Sequence, residues 1–212
     1  RDETMARKKT YILPGLGVDA RMYSHPAYAR LPDTVFVDWP VFDNEKTLAR
    51  VAGRITAQYA IEPGSVVGGS SLGGMVACEI AGKIPVAKVI LIGSATTPDL
   101  VNPLLKALSV FSPIVPVQFL QRLLGRTPWP EHSNIIKMMT EADPGLIKNM
   151  SRAIFKWQGN PAPTAEICAI HGVHDKVIFP PPRLDVHLID GRHVIAMSNP
   201  EEVAAFIGAC LD

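Results

Sequence analysis

Two adjacent serines stand among four glycines in the segment Val66 to Ala77, VVGGSSLGGMVA. A β-branched pair precedes them, and Met75, Val76, Cys78 and Ile80 follow at helical spacing, so the segment reads as a strand turning sharply into a helix. The apex of such a turn holds its residue in a strained conformation with the side chain lifted above the sheet. The neighbours two positions to either side are pressed between strand and helix and must be small. With Ser71 at the apex these are Gly69 and Gly73; with Ser70 they would be Gly68 and Leu72, and leucine has no room there. Ser71 is therefore the candidate nucleophile and Ser70 a small spacer. A helix starting there also aims free N–H groups and the positive end of its dipole at the hydroxyl, which favours the negative charge that develops in acyl transfer. No lysine follows the glycines as a phosphate-binding loop requires.

A serine hydroxyl needs a base to take its proton, and the base needs an orienting group. Of the six histidines, His193 in LIDGRHVIAMSNPEEVAAFI follows the last strand-like run and precedes a well-signalled final helix, with Asn199 or Ser198 as cap and Pro200 in the first turn. A loop there can bring His193 over Ser71, and His174 is the rival base. His25, His132 and His187 read as ordinary surface or core histidines, and His171 as a partner of its own turn. For the acid, Asp175 lies just past the run Ile167 to His171, which gives the chain order Ser, Asp, His. Asp99, after the preceding strand-like run, is the alternative.

The developing oxyanion needs donors. Leu72 N–H is freed by the helix start, and a second donor is expected from the loop in YILPGLGVDARMY, where Gly15 and Gly17 allow close backbone approach and leave Leu16 N–H.

These residues require elements to position them. Strand-like runs occur at Thr10 to Leu13, Val35 to Asp38, Ser65 to Gly69, Lys88 to Ile92, Ile167 to His171 and Asp185 to Ile189. Helical patterns separate the earlier runs; in EKTLARVAGRITAQYA, Leu48, Val51, Ile55 and Tyr59 share one face. Strand and helix alternating, with nearly continuous apolar strands, predict an α/β fold with a mostly parallel six-stranded sheet and helices on both faces. The long interval between Ile92 and Ile167 breaks the rhythm with prolines at 98, 103, 113, 116, 128, 130 and 144. Inserts in such sheets sit above the carboxyl ends of the strands, so residues 97–163 read as a helical lid, with 10–96 and 164–212 as the core and 1–9 as a polar leader or tail.

The chain of 212 residues is 47% apolar, enough for one core, and its net charge of +1 with scattered Lys and Arg excludes the electrostatic footprint of a nucleic-acid binder. Cys78, Cys168 and Cys210 form an odd set without metal-ligand spacing, which points to a reducing, cytoplasmic compartment and to no bound metal. The most apolar stretch, Leu100 to Leu124, is interrupted by Pro103, Lys106, Pro113 and Pro116, so no transmembrane helix is expected. Its Leu100, Leu104, Leu105, Leu108, Phe111, Ile114, Phe119 and Leu123, with Trp129 beyond it, favour a small-molecule partner with an apolar acyl or alcohol group.

Four landmarks in order, LPGLG, GSSLGG, HGVHDKVI and GRHVIAMSNPEEVAAFI, make the chain from Thr10 to Leu211 resemble the α/β-hydrolase superfamily, in its small, lid-bearing, esterase-like branch. The resemblance implies a sheet in the order 4-3-5-6-7-8 by the superfamily's count, lacking its first two strands. It further implies a serine hydrolase acting on esters or thioesters through an acyl-enzyme, without metal or organic cofactor. Ser71 would attack, His193 would shuttle the proton, Asp175 would hold the imidazolium, and Leu72 and Leu16 would bind the oxyanion. Relatives usually carry His-Gly where this chain has Pro14-Gly15. A lyase, a perhydrolase or a receptor that kept the pocket would use the same constellation.

Overall fold

The computed structural model describes residues 8–105 and 131–212, with side chains of the second stretch from residue 133 onward. The polar run 1–7, the side chain of His132, and Leu108, Phe111, Ile114, Phe119, Leu123 and Trp129 lie outside the described residues.

Six short strands build one sheet: β1 (Thr10–Leu13), β2 (Thr34–Phe36), β3 (Val66–Ser70), β4 (Lys88–Ile92), β5 (Ile167–Gly172) and β6 (Val186–Ile189). Their order is β2-β1-β3-β4-β5-β6, and every adjacent pair is parallel. This is the order and direction that the resemblance implies. Boundaries differ by one or two residues. β2 ends at Phe36 because, past the bond from Val37 N–H to Ile12 O at 2.9 Å, the next donor on the β1 side would be Pro14, which has no N–H. β3 runs on to Ser70, which pairs with Ile92.

Alternation along the strands divides the core in two. Tyr11, Leu13, Val67, Val89 and Leu91 join one buried cluster, and Ile12, Val66, Ile90 and Ile92 the other. Both faces are covered, so the strands are apolar throughout, as a parallel sheet requires. On the first face lie α1 (Leu48–Gln58), α2 (Leu72–Ala81) and α4 (Pro144–Ile154); on the second lie α3 (Glu131–Glu141), the single turn α5 (Ile195–Ser198) and α6 (Pro200–Leu211). Thr47 caps α1 by accepting Arg50 N–H at 3.2 Å, and Leu48, Val51 and Ile55 are buried as their spacing predicts; Tyr59 instead closes the helix.

Asn199 stands at the N-terminal boundary of α6, but its side chain makes no capping bond. Its amide donates to Asp190 O at 3.2 Å and its oxygen accepts from Ser198 at 2.7 Å, so it ties the helix start to the loop after β6. Cys78 and Cys210 are buried, whereas Cys168 is only half-buried.

Helices α3 and α4 pack on the loop after β1. A Cβ built on Gly17 would lie 3.7 Å from Ile147 Cδ1 and from the Met139 side chain. Arg21, at 2.6 Å from Asp19, also reaches Glu141 on α3 at 2.5 Å. With all strands parallel, the loops that follow β1, β3, β5 and β6 gather along one edge of the sheet. Among the described residues no helix is long and apolar enough to cross a membrane.

Candidate active site

Ser71 sits between β3 and α2 with φ 52° and ψ −118°, a region that side-chain-bearing residues seldom adopt. The strain is held from both sides: Ser71 N–H donates to Ile92 O at 3.0 Å, and Ser71 O accepts from the Ser94 hydroxyl at 2.6 Å and from Gly74 N–H at 3.1 Å. A Cβ on Gly69 would stand 2.6 Å from the Gly73 carbonyl carbon, and one on Gly73 would stand 2.5 Å from Pro14 O. The two glycines thus meet across the corner, and no larger residue fits at either.

Ser70 does more than fill space. Its buried hydroxyl lies 2.8 Å from Tyr23 OH, which donates its proton to Leu13 O at 2.8 Å, so Ser70 donates to Tyr23. Burial pushes the Tyr23 phenol up, and hydrogen bonding with Ser70 offsets only part of that, so it remains neutral and keeps the proton. This lock joins β1 to the residue before Ser71, and it engages Ser70 Oγ.

Ser71 Oγ lies 3.0 Å from His193 Nε2, and His193 Nδ1 lies 2.9 Å from Asp175 Oδ2. The carboxylate can only accept, so Nδ1 carries the proton and Nε2 is free to accept from the serine hydroxyl. The Asp175 side chain is 0% exposed and that of His193 14%, so the imidazole alone keeps a path to solvent. Asp175 Oδ1 accepts Val177 N–H at 2.8 Å and Ile178 N–H at 3.1 Å, an acid loop folded around its own carboxylate. Burial acts to raise the Asp175 pKa, but the charge of His193, hydrogen bonds from His171 and His193, and Val177 N–H outweigh it and hold the carboxyl well below the usual carboxylate range.

The two expected donors share a pattern. Leu72 N–H belongs to the same planar peptide as Ser71 O, and Leu16 N–H to the same peptide as Gly15 O. Gly15 O accepts the Trp39 indole N–H at 3.0 Å, as Ser71 O accepts Ser94. In a trans peptide the N–H points away from the carbonyl, so Trp39 and Ser94 turn both N–H groups to the opposite side. Among the described residues neither N–H has an acceptor. A Cβ on Gly15 would lie 3.7 Å from Ser71 Cβ, which places this loop against the serine.

The rival residues fall elsewhere. Asp99 is exposed in the 3₁₀ turn Pro98–Leu100 and, among the described residues, makes no ion pair with a histidine. His174 Nε2 faces Asp190 Oδ1 at 3.1 Å on the surface. His25 is exposed and accepts Ala27 N–H, and His187 stacks on Phe206 outside the site.

The sequence matches the model of the alpha/beta hydrolase family over residues 11–206. The chain belongs to that family. A sequence search of curated proteins returns no match. Among solved structures, a thermophilic esterase from Thermogutta terrifontis superposes with TM-score 0.75 at 18% identity, over 96% of this chain and 89% of its own. An esterase from Exiguobacterium antarcticum gives 0.75 at 15%, over 96% and 91%. The RedJ thioesterase of prodiginine biosynthesis from Streptomyces coelicolor gives 0.68 at 15%, over 97% and 91%. At these identities the likeness is one of fold.

Within this alpha/beta hydrolase, three site residues escape a reading of the sequence: Tyr23, Trp39 and Ser94. Each acts through a hydrogen bond to a residue distant in the chain, for which no local motif exists. His171, expected to bond its own turn, does so at Ile178 O and also meets Asp175, four positions on. Among the described residues no group of three or more His, Cys, Asp or Glu side chains could hold a metal ion.

Proposed function

We propose that the protein is a serine hydrolase that cleaves carboxylic esters or thioesters of small to medium apolar substrates through an acyl-enzyme. The observation that carries this reading is the unbroken hydrogen-bonded chain from Ser71 Oγ through His193 to the buried Asp175. Ser71 attacks the acyl carbonyl while His193 Nε2 takes the hydroxyl proton. Asp175 stabilises the imidazolium through Nδ1–H, and Leu72 and Leu16 N–H bind the oxyanion. Collapse expels the alcohol or thiol, which receives the proton from Nε2. Water then repeats the sequence on the acyl-serine, and the acid leaves. Every proton is accounted for by His193, and water is the only co-reactant.

The apolar groups at the β1 loop, Leu16 from the core and Met139 and Ile147 from residues 97–163, which we read as the lid, support an apolar substrate. The esterases and the thioesterase of the same fold support the choice of acyl chemistry. Three free cysteines fit a reducing, cytoplasmic setting.

A panel of nitrophenyl esters of graded acyl length tests the reading. The parent turns over short to medium chains, and Ser71→Ala loses about three or more orders of magnitude in kcat. Fluorophosphonate labelling followed by peptide mapping places the adduct on Ser71 and not on Ser70. Equal turnover by parent and variant would remove Ser71 from the reaction.

A further inference from the structure

His171, the penultimate residue of β5, has a side chain 1% exposed, and the proposed acyl transfer does not use it. Its Nε2 lies 2.9 Å from Ile178 O and 3.1 Å from Asp175 Oδ2. Both oxygens can only accept, so a lone pair on this nitrogen would face two others; Nε2 must carry the proton and fork it between them. Ile178 in turn donates its N–H to Asp175 Oδ1, so His171, Ile178 and Asp175 close a ring of hydrogen bonds around the acid loop. Counting Val177 and His193, the carboxylate receives four donors, two on each oxygen, which fills its accepting capacity.

We infer that His171 is a positioning residue: its forked Nε2–H pins Asp175 Oδ2 for His193 Nδ1 and takes a share of the negative charge that the carboxylate presents to His193. The inference rests on the proposed role of the Ser71–His193–Asp175 chain. Two histidines converge on one carboxylate oxygen with opposite duties. His193 must gain and lose a proton, whereas His171, sealed from solvent against two acceptors, keeps one.

The titratable groups that face this cluster are few. β5 contributes His171, the acid loop Asp175, the loop after β6 His193, and the elbow Ser71; the end of β4 presents Gly93, whose added Cβ would be 3.8 Å from Asp175 Oδ2. The exposed pair His174–Asp190 occupies the solvent side of the same two loops. Losing the His171 donor concentrates charge on Oδ2, stabilises the His193 imidazolium and raises its titration midpoint. Neutral His193 is the working base, so the acidic limb of kcat/KM moves up with it.

Nitrogen-15 NMR of histidine-labelled parent protein reads the protonation of His171 Nε2 directly; the expected spectrum has Nε2 carrying a proton. In His171→Phe the His193 midpoint rises by about half a pH unit, and kcat falls about tenfold with KM changed less than about twofold. His171→Gln, whose amide nitrogen reaches the place of Nε2, returns both most of the way. An unprotonated Nε2 in the parent, or a His193 midpoint in His171→Phe equal to that of the parent, overturns the inference, and the first of these needs no variant to fold. Failure of the proposed function shows separately, as ester turnover that survives Ser71→Ala.

Discussion

Ser71 Oγ and His193 Nε2 meet at 3.0 Å although 122 positions separate them in the chain. The meeting follows from the parallel sheet: β3 and β6 end along the same edge, so the loop after one reaches over the corner after the other. The serine side of this contact is held in a strained backbone conformation, and strain of that kind has a measurable signature.

A residue with a Cβ at φ 52° carries about 1–3 kcal/mol of strain. Ser71→Ala keeps that Cβ, whereas Ser71→Gly removes it at a cost of about 0.5–1 kcal/mol in added chain freedom when unfolded. Both variants lose ester turnover, and Ser71→Gly melts about 2–4 °C above Ser71→Ala in calorimetry. Equal melting temperatures would limit the strain to the about 0.5–1 kcal/mol that the glycine's added chain freedom costs.

Asp175→Asn lowers kcat/KM about 10³–10⁴-fold, because the amide fails to hold the Nδ1–H tautomer of His193, while Asp99→Asn stays within about twofold of the parent. The Asp175 carboxyl has a folded pKa below its unfolded value, so the stability it adds is complete above about pH 4 and is lost as pH falls toward the folded value. Chemical denaturation at a series of pH values below about 5 therefore shows a steeper loss in the parent than in Asp175→Asn.

Trp39 and Ser94 donate to the carbonyls of the peptides that carry Leu16 N–H and Leu72 N–H. Trp39→Phe and Ser94→Ala each reduce kcat about tenfold with little change in KM, since an oxyanion donor is used fully only in the transition state. The two losses multiply in the double variant, because the residues hold different peptides. A rise in KM at constant kcat would assign them to substrate binding instead.

Thr10 is fully buried in β1, and among the described residues its hydroxyl has no hydrogen-bond partner. Thr10→Val keeps the shape and removes the desolvated hydroxyl, which stabilises the fold by about 1 kcal/mol. Thermal unfolding should move up by about 2–4 °C, with turnover unchanged.

Much of this was legible before any coordinates. Alternation of apolar runs and helical patterns carries the sheet and its covering helices, because burial on both faces leaves a compositional trace in each strand. Gly69 and Gly73 are legible because the corner demands small residues at fixed offsets, a constraint internal to five consecutive positions. The diverted Asn199 side chain was not legible, since Asp190 competes for it from elsewhere in the chain.

By itself the sequence determined the order of the elements, the strained corner and the residue types available to it, all of which depend on neighbours within a few positions. Tertiary structure alone decided between Asp175 and Asp99 as the partner of His193, engaged Ser70 with Tyr23, and brought Trp39 and Ser94 to bear on the site. Those choices are hydrogen bonds between distant segments, and a hydrogen bond acts over about 3 Å, a distance that spacing along the chain does not encode.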